Sequence, residues 1–281
     1  MVDRLAEFFE HYSFNTQVFY QGALRQRTRF AESGGSGHLI LIRRGSVTVR
    51  ASTHTEQQIC EPSLMFYLLP EGQGFTTELA PDADVVCAKM DFNQSADNPL
   101  THALPTMLLM PLRELPELLP TIELLLSEVR QDHCGRQAAI DRIAGYLLIQ
   151  MLRYVMDYNK TGIGLLAGLA DKRLVSALTA MHQNAREDWT VQKLADLAGM
   201  SRARFAVHFR RTMGVTPGEY LTQWRIGIAQ AMIKRGMRLD LVADKVGYGS
   251  ATALSRVILA RTGHSPRALK RKIREKDHVS S

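Results

Sequence analysis

"WTVQKLADLAGMSRARFAVHFRRTMG", residues 189–214, decides how this chain is read. Thr190 stands where a hydroxyl can cap a helix by accepting from a backbone N–H of its first turn. Val191, Leu194, Ala195 and Ala198 then share one face at helical spacing. Gly199 suits the left-handed residue that closes a helix, and Ser201 can cap the next one. On that second helix Phe205 and Phe209, four apart, fall on one face. Two short helices around a tight turn are the helix-turn-helix pattern. Opposite the phenylalanines the second helix presents Ala203, Val207 and Arg210, flanked by Arg204, Ala206 and Arg211, with Arg202 at its start. A helix of this kind fits the major groove, where arginine meets guanine edges or phosphate and Ala or Val meets a thymine methyl.

The pattern recurs 49 residues on, where Ser201, Gly214 and Pro217 are matched by Ser250, Gly263 and Pro266. Leu239, Val242, Ala243 and Val246 form an apolar face, Gly247 ends that helix, and Ser250 starts the next. The face opposite Leu254 and Ile258 shows Thr252, Arg256 and Leu259, with Ser255 beside them. Recurrence at a fixed period marks a duplicated structural unit. Between the copies, "TPGEYLTQWRIGIAQAMIKRG" (216–236) predicts one long helix with Pro217 at its first position and Gly236 at its exit. About 20 residues at ~1.5 Å each give ~30 Å, close to the ~34 Å of a B-DNA turn. A connector of that length suits two recognition helices in successive major grooves.

Charge follows the same division. Residues 1–160 hold 14 Lys and Arg against 19 Asp and Glu, a net of −5, while residues 161–281 hold 21 against 9, a net of +12. A basic block at one end suits a polyanionic partner. The hydrophobic fraction of 45% and charged fraction of 22% are those of an ordinary globular chain with a sizeable core. Three widely spaced cysteines, Cys60, Cys87 and Cys134, argue against a disulfide scaffold and for the reducing cytoplasm. Asp3, Glu7 and Glu10 interrupt any secretory signal at the start. No apolar run approaches the ~18 residues of a spanning helix, so no membrane association is expected.

The first hundred residues predict strands. "HLILIRRGSVTVR" (38–50) reads as a hairpin about Arg44-Gly45, and 63–75 and 83–92 read as further strands, together a β-sandwich or small barrel. Leu115 to Val129 and residues 135–159 predict helices, with Ile140, Ile143, Ala144, Leu147, Leu148, Met151, Leu152 and Val155 in a stripe on the second. That stripe packs either on its own domain or as a seam between two copies of the chain. The glycines of 159–171 mark the domain boundary. The expected fold is therefore α+β in two domains. Residues 1–165 form a β-sandwich or barrel with helices over 112–159, and residues 171–275 form an all-α tandem helix-turn-helix.

Residues 171–272 resemble the AraC/XylS transcription regulators, whose DNA-binding domain is a tandem helix-turn-helix joined by one long helix. The front half resembles the cupin-type sensor domain of one branch of that family, in "HLILIRRGSVTV…FYLLPEGQGF" and in the helical stretch after it. The resemblance implies a regulator, more often an activator, that binds double-stranded promoter DNA as a homodimer. It also implies contact with RNA polymerase and a small-molecule or chemical signal taken up by the front domain. There are departures. Relatives commonly read F-S-R-x-F-K in the second unit, where this chain has "LSRVIL", so Leu254 and Ile258 replace aromatics and Leu259 replaces a lysine. Arg256 keeps the family arginine and is the leading candidate for a base or phosphate contact. In the first unit Ala203, Ala206 and Val207 stand where relatives place larger polar readers, which shifts readout toward thymine methyls or DNA shape.

Two alternatives remain open. One is a metal-dependent cupin enzyme, which needs closely spaced histidines and a carboxylate. His11, His38, His54 and His102 show no H-x-H spacing, and Phe75 falls where some relatives carry a histidine, so no catalytic, cofactor or metal site is read. The other is a thiol-based redox-sensing regulator using Cys87, with Cys60 as resolving partner and Cys134 a weaker candidate, against a structural role for Cys87. A DNA-repair alkyltransferase would need a Pro-Cys-His-Arg setting, and no Pro-Cys or Cys-His step exists. A helical module that reads no DNA sequence is a further rival. The basic tail "LKRKIREK" (269–276) is either a solvated helix end or a set of phosphate contacts.

Overall fold

The computed structural model describes residues 3–11, 15–23, 28–30, 36–51, 54–68, 75–80, 83–91, 107–158 and 162–268. The chain divides into two units, one built from residues 14–94 and 104–158, the other from 159–281 together with 1–13. The second unit thus includes helix α1 (Ala6–His11), which sequence alone assigns to the front domain. Arg4 donates to the carbonyl of Leu169 at 3.0 Å, Arg235 donates to the carbonyl of Glu10 at 3.2 Å, and Leu5 is buried.

Among the described residues, nine strands build the front unit: β1 (Asn15–Ala23), β2 (Thr28–Phe30), β3 (Ser36–Arg44), β4 (Val47–Ala51), β5 (His54–Ile59), β6 (Ser63–Leu68), β7 (Phe75–Leu79), β8 (Asp84–Asp91) and β9 (Met107–Pro111). They form a five-stranded sheet ordered β1-β8-β3-β6-β9 and a four-stranded sheet ordered β2-β7-β4-β5, antiparallel throughout. The hairpin expected about Arg44-Gly45 does not form. β3 pairs with β6 and β8, whereas β4 pairs with β5 and β7. Gly45 carries the chain from one sheet to the other with φ +81°, and a Cβ there would stand 2.6 Å from the Cα of Ala83. The physical reason is burial. Ile40 and Ile42 on β3 and Val47 and Val49 on β4 all enter one core cluster with Ile59, Met65, Tyr67, Val85 and Cys87. Crossing between sheets lets these side chains face one another across a sandwich.

The other face of the larger sheet, with Leu39, Leu41, Leu64, Phe66, Val86 and Ala88, is buried as well. Helices α2 (Leu119–Arg130) and α3 (Arg136–Asp157) follow β9 and two 3₁₀ turns. Asp141 of α3 accepts from the Thr16 backbone N–H at 2.9 Å, and Gln137 donates to the Thr16 carbonyl at 2.7 Å, fastening α3 to β1. Seven of the eight stripe residues on α3 are buried within the single chain, and Ile143 is half-buried. A second copy is therefore not required to cover them. β9 lies beyond the residue-100 limit expected for the strands and extends the larger sheet at one edge, paired to β6.

The second unit is helical: α4 (Leu165–Ala170), α5 (Val175–Gln183), α6 (Val191–Leu197), α7 (Arg202–Met213), α8 (Pro217–Lys234), α9 (Leu239–Lys245) and α10 (Ala251–Thr262). Among the described residues, no helix is long and apolar enough to cross a membrane.

Candidate nucleic-acid interface

Three of the four helix-turn-helix helices, α6, α7 and α10, start where a cap hydroxyl predicts. Thr190 accepts from the N–H of Lys193 at 3.2 Å, Ser201 from Arg204 at 3.4 Å and Ser250 from Ala253 at 3.1 Å. Glycines 199, 214, 236, 247 and 263 all have φ between +61° and +84°, as helix exits require. The α6–α7 turn closes on bonds from Gly199 to the carbonyl of Asp196 and from Met200 to that of Ala195.

Below α7 lies an aromatic core. Phe205 and Phe209 are fully buried with ring centroids 5.5 Å apart, and Phe209 meets Tyr220 of α8 edge-on at 5.9 Å. The Tyr220 hydroxyl lies 2.6 Å from His182 Nε2, and His182 stacks on Trp224 at 4.1 Å. Burying this face fixes the opposite one outward. Arg202, Ala203, Arg204, Val207, Arg210 and Arg211 are all exposed, Val207 by 71%. In α10, Leu254 and Ile258 are fully buried, so Thr252 and Arg256 are exposed and Leu259 is half exposed. Ser255 is only half-buried, and its hydroxyl donates back to the carbonyl of Ala251 at 2.7 Å. Among the described residues, no hydrogen bond or ion pair engages the side chain of Arg202, Arg204 or Arg256. These cations face solvent ready for an anionic partner.

Helix α8 joins the two helix-turn-helix units. Its N-terminus is a capping box, in which Thr216 accepts from the Glu219 N–H and the Glu219 carboxylate accepts from the Thr216 N–H at 2.9 Å. Those bonds from Thr216, backbone first, hold the Glu219 carboxyl below the usual glutamate range. Its 18 residues give a length of about 27 Å.

A clamp that sequence alone does not reveal sets how the two units meet. Arg225 of α8 donates to the carbonyls of Ala185 at 2.7 Å and Glu187 at 2.8 Å, and its guanidinium lies 5.8 Å from the Tyr248 ring centroid. Arg186 in the same loop pairs with Asp244 of α9 at 2.9 Å. Gly247 makes room for this loop, because a Cβ there would stand 2.6 Å from the Arg186 carbonyl oxygen. The α5–α6 loop therefore touches the connector and the second helix-turn-helix together. Only the proximity of 186 to 244 and of 225 to 248 reveals it, and nothing local in the sequence encodes that.

The front unit places the remaining candidates. Cys87 is buried between the sheets, and burial pushes its thiol up to about 12, away from the thiolate that redox chemistry uses. Cys60 and Cys134 are exposed. His38 is buried, and desolvation, then Lys89, push it down to about 4. Among the described residues, no group of three or more His, Cys, Asp or Glu could hold a metal ion. The side chains of His11, His54 and Phe75, residue His102 and the basic tail 269–276 lie outside what is described.

Comparison with known proteins agrees with this geometry. Residues 3–157 match the Cupin family and residues 194–272 the Helix-turn-helix domain family. An uncharacterized HTH-type transcriptional regulator of Haemophilus influenzae is 34% identical over 178 residues, 63% of this chain and 59% of its own. An AraC-like transcription regulator of Streptomyces lividans is 39% identical over 141 residues, 48% of this chain and 46% of its own. The RCS-specific HTH-type transcriptional activator RclR of Escherichia coli is 29% identical over 195 residues, 68% and 69% of the two chains. The chain thus spans about half the length of the first two relatives it matches. Through residues 3–157 the chain belongs to the Cupin family, and with a Helix-turn-helix domain of duplicated, outward-facing, arginine-bearing helices after that β-sandwich it is similar to the AraC-like transcription regulators.

Proposed function

We propose that α7 and α10 enter successive major grooves on one face of promoter DNA, and that the chain acts in the cytoplasm as a homodimeric activator. In this reading a small molecule taken up by the front unit sets promoter occupancy, RNA polymerase is the downstream partner, and no reaction is catalysed. The observation that carries it is the pair of exposed faces, Arg202, Ala203, Arg204, Val207, Arg210 and Arg211 on α7, and Thr252 and Arg256 on α10 with the half-buried Ser255 beside them, within one clamped unit. The length of α8, about 27 Å, falls short of one duplex turn of ~34 Å by an amount that modest bending of the DNA covers. The burial of Cys87 favours a small molecule over an oxidant as the signal.

Selection of the full chain against a random duplex library tests the reading. The expected result is a motif with two conserved blocks about one helical turn apart (~10 base pairs), repeated by a second copy of the protein. Recovery of duplexes sharing no motif would sink it.

A further inference from the structure

A side chain that the DNA-facing set leaves out lies half-buried on the first recognition helix. His208 Nε2 stands 2.7 Å from Asp171 Oδ2, with the two side chains only 16% and 22% exposed. The other oxygen of Asp171 accepts the backbone N–H groups of Arg173 at 2.8 Å and Leu174 at 3.1 Å. On the far side of the ring, Nδ1 lies 3.3 Å from a guanidinium nitrogen of Arg211. A carboxylate can only accept, so Nε2 carries the proton and donates to it. Nδ1 then presents its lone pair, and Arg211, which can only donate, gives it a hydrogen bond. With a neutral ring, this places every proton along the line.

Asp171 follows α4 directly, in the segment that leads from the front unit into the helix-turn-helix. That segment grips α7 at further points. The Gly164 N–H donates to the carbonyl of Thr212 at 3.0 Å. Gly168 lies so close to Met213 that a Cβ would stand 2.2 Å from its sulfur, and a Cβ on Gly214 would meet Ile163 at 3.0 Å. The grip runs along the C-terminal half of α7 and ends on the histidine that holds Arg211.

We propose that Asp171 and His208 are positioning residues for DNA binding, setting the guanidinium of Arg211 toward the phosphate backbone and tying its position to the segment entering from the front unit. This rests on the reading of α7 as a DNA-facing helix. A long cation held by a neighbour loses less rotamer freedom when it meets its partner. Arg211 in this setting is pre-aimed, while Arg202 and Arg204 are held by nothing else among the described residues.

A double-mutant cycle on the full chain tests the proposal. The probe is one duplex of about 30 base pairs, roughly three helical turns, enriched from a random library on the unmodified protein. Affinity is read against salt concentration, and thermal unfolding is followed in parallel. Arg211→Ala is expected to weaken binding and flatten the salt dependence by about one unit of log–log slope. His208→Leu, which keeps bulk and removes both hydrogen bonds, should weaken binding about two- to tenfold in the presence of Arg211 and leave the Arg211→Ala protein unchanged. His208→Gln, which keeps a donor and an acceptor, should restore most of the loss. Asp171→Ala repeats the cycle if unfolding shows that the leucine variant has not folded. An equal loss from His208→Leu with and without Arg211 overturns the positioning role while leaving the DNA reading intact. An Arg211→Ala protein with unaltered affinity and salt slope overturns the DNA reading at this position and the proposal with it.

Discussion

The two helix-turn-helix units share an outline and differ in how each is secured. In the first, Thr190 caps the leading helix, whereas Arg238 at the start of α9 makes no side-chain cap bond and pairs with Asp240 at 2.7 Å. The first turn runs Gly199-Met200-Ser201, and the second is one residue longer, Gly247-Tyr248-Gly249-Ser250. Two phenylalanines hold α7 down, and Leu254 with Ile258 holds α10. Four arginines stand on the outer face of α7, against Arg256 in the corresponding stretch of α10. A recognition helix can thus be set by its own aromatic anchor or by what its neighbours press onto it. The first unit relies on the anchor, and the second relies more on the Arg225 and Arg186 clamp.

The two units should differ most in stability when their turns are altered. Gly199 and Gly247 both have positive φ, but a Cβ on Gly199 meets nothing within 4 Å, whereas one on Gly247 strikes backbone at 2.6 Å. Gly199→Ala should cost about 1–2 kcal/mol, the strain of a left-handed alanine. Gly247→Ala should cost roughly twice that or more, because the α5–α6 loop must also move. Chemical denaturation of both variants measures the gap, and equal losses would mean that the loop contact is dispensable.

The two recognition helices should also differ in what they read on DNA. Arg256→Ala should weaken binding to the enriched duplex by about 1–3 kcal/mol and relax the base preference at one position. Arg202→Ala or Arg204→Ala should weaken all sequences alike and lower the salt slope by about one. Titrations at several salt concentrations on matched and scrambled duplexes separate the two. A uniform effect at Arg256 would make the second unit a phosphate clamp as well.

The smallest effect concerns acid. Glu219 closes the capping box after the first unit, while the matching stretch Ser265-Pro266-Arg267-Ala268 has no carboxylate, only the Ser265 hydroxyl accepting from the Ala268 N–H at 3.2 Å. The Glu219 carboxyl titrates below its usual range when folded, so its stabilisation is complete above the usual glutamate value and fades as pH falls through the lowered one. Stability measured from neutral pH downward should fall less steeply in Glu219→Gln than in the unmodified protein. A parallel pair of curves would remove the carboxylate from the account.

Much of the second unit was legible because its signals are local. A cap hydroxyl, an apolar face at helical spacing and a left-handed glycine act within a few residues, and the 49-residue recurrence doubled each one. The outer faces of α7 and α10 followed from the buried ones by helical angle alone. Ser255 shows the limit, since its side chain turned to its own backbone, a choice that spacing does not encode. In the front unit, strand character was readable in β3, β4, β6 and β8, but strand partners were not. The Arg44-Gly45 step looks like a hairpin turn locally, and only the shared core of Ile40, Ile42, Val47 and Val49 sends the chain across to the second sheet. The addition of α1 to the helical unit was equally hidden, because it depends on Arg4 and Arg235 reaching backbone carbonyls more than 160 residues away.

The repeated helical unit, the sign of its charge and the outward arginines are written in the order of the residues, because they depend on periodicity and on neighbours a few positions apart. Tertiary structure alone decided strand pairing, the Arg225–Tyr248 clamp and the line from Asp171 through His208 to Arg211. Those contacts join residues tens of positions apart, and they form only when burial of the apolar faces has already brought their elements together.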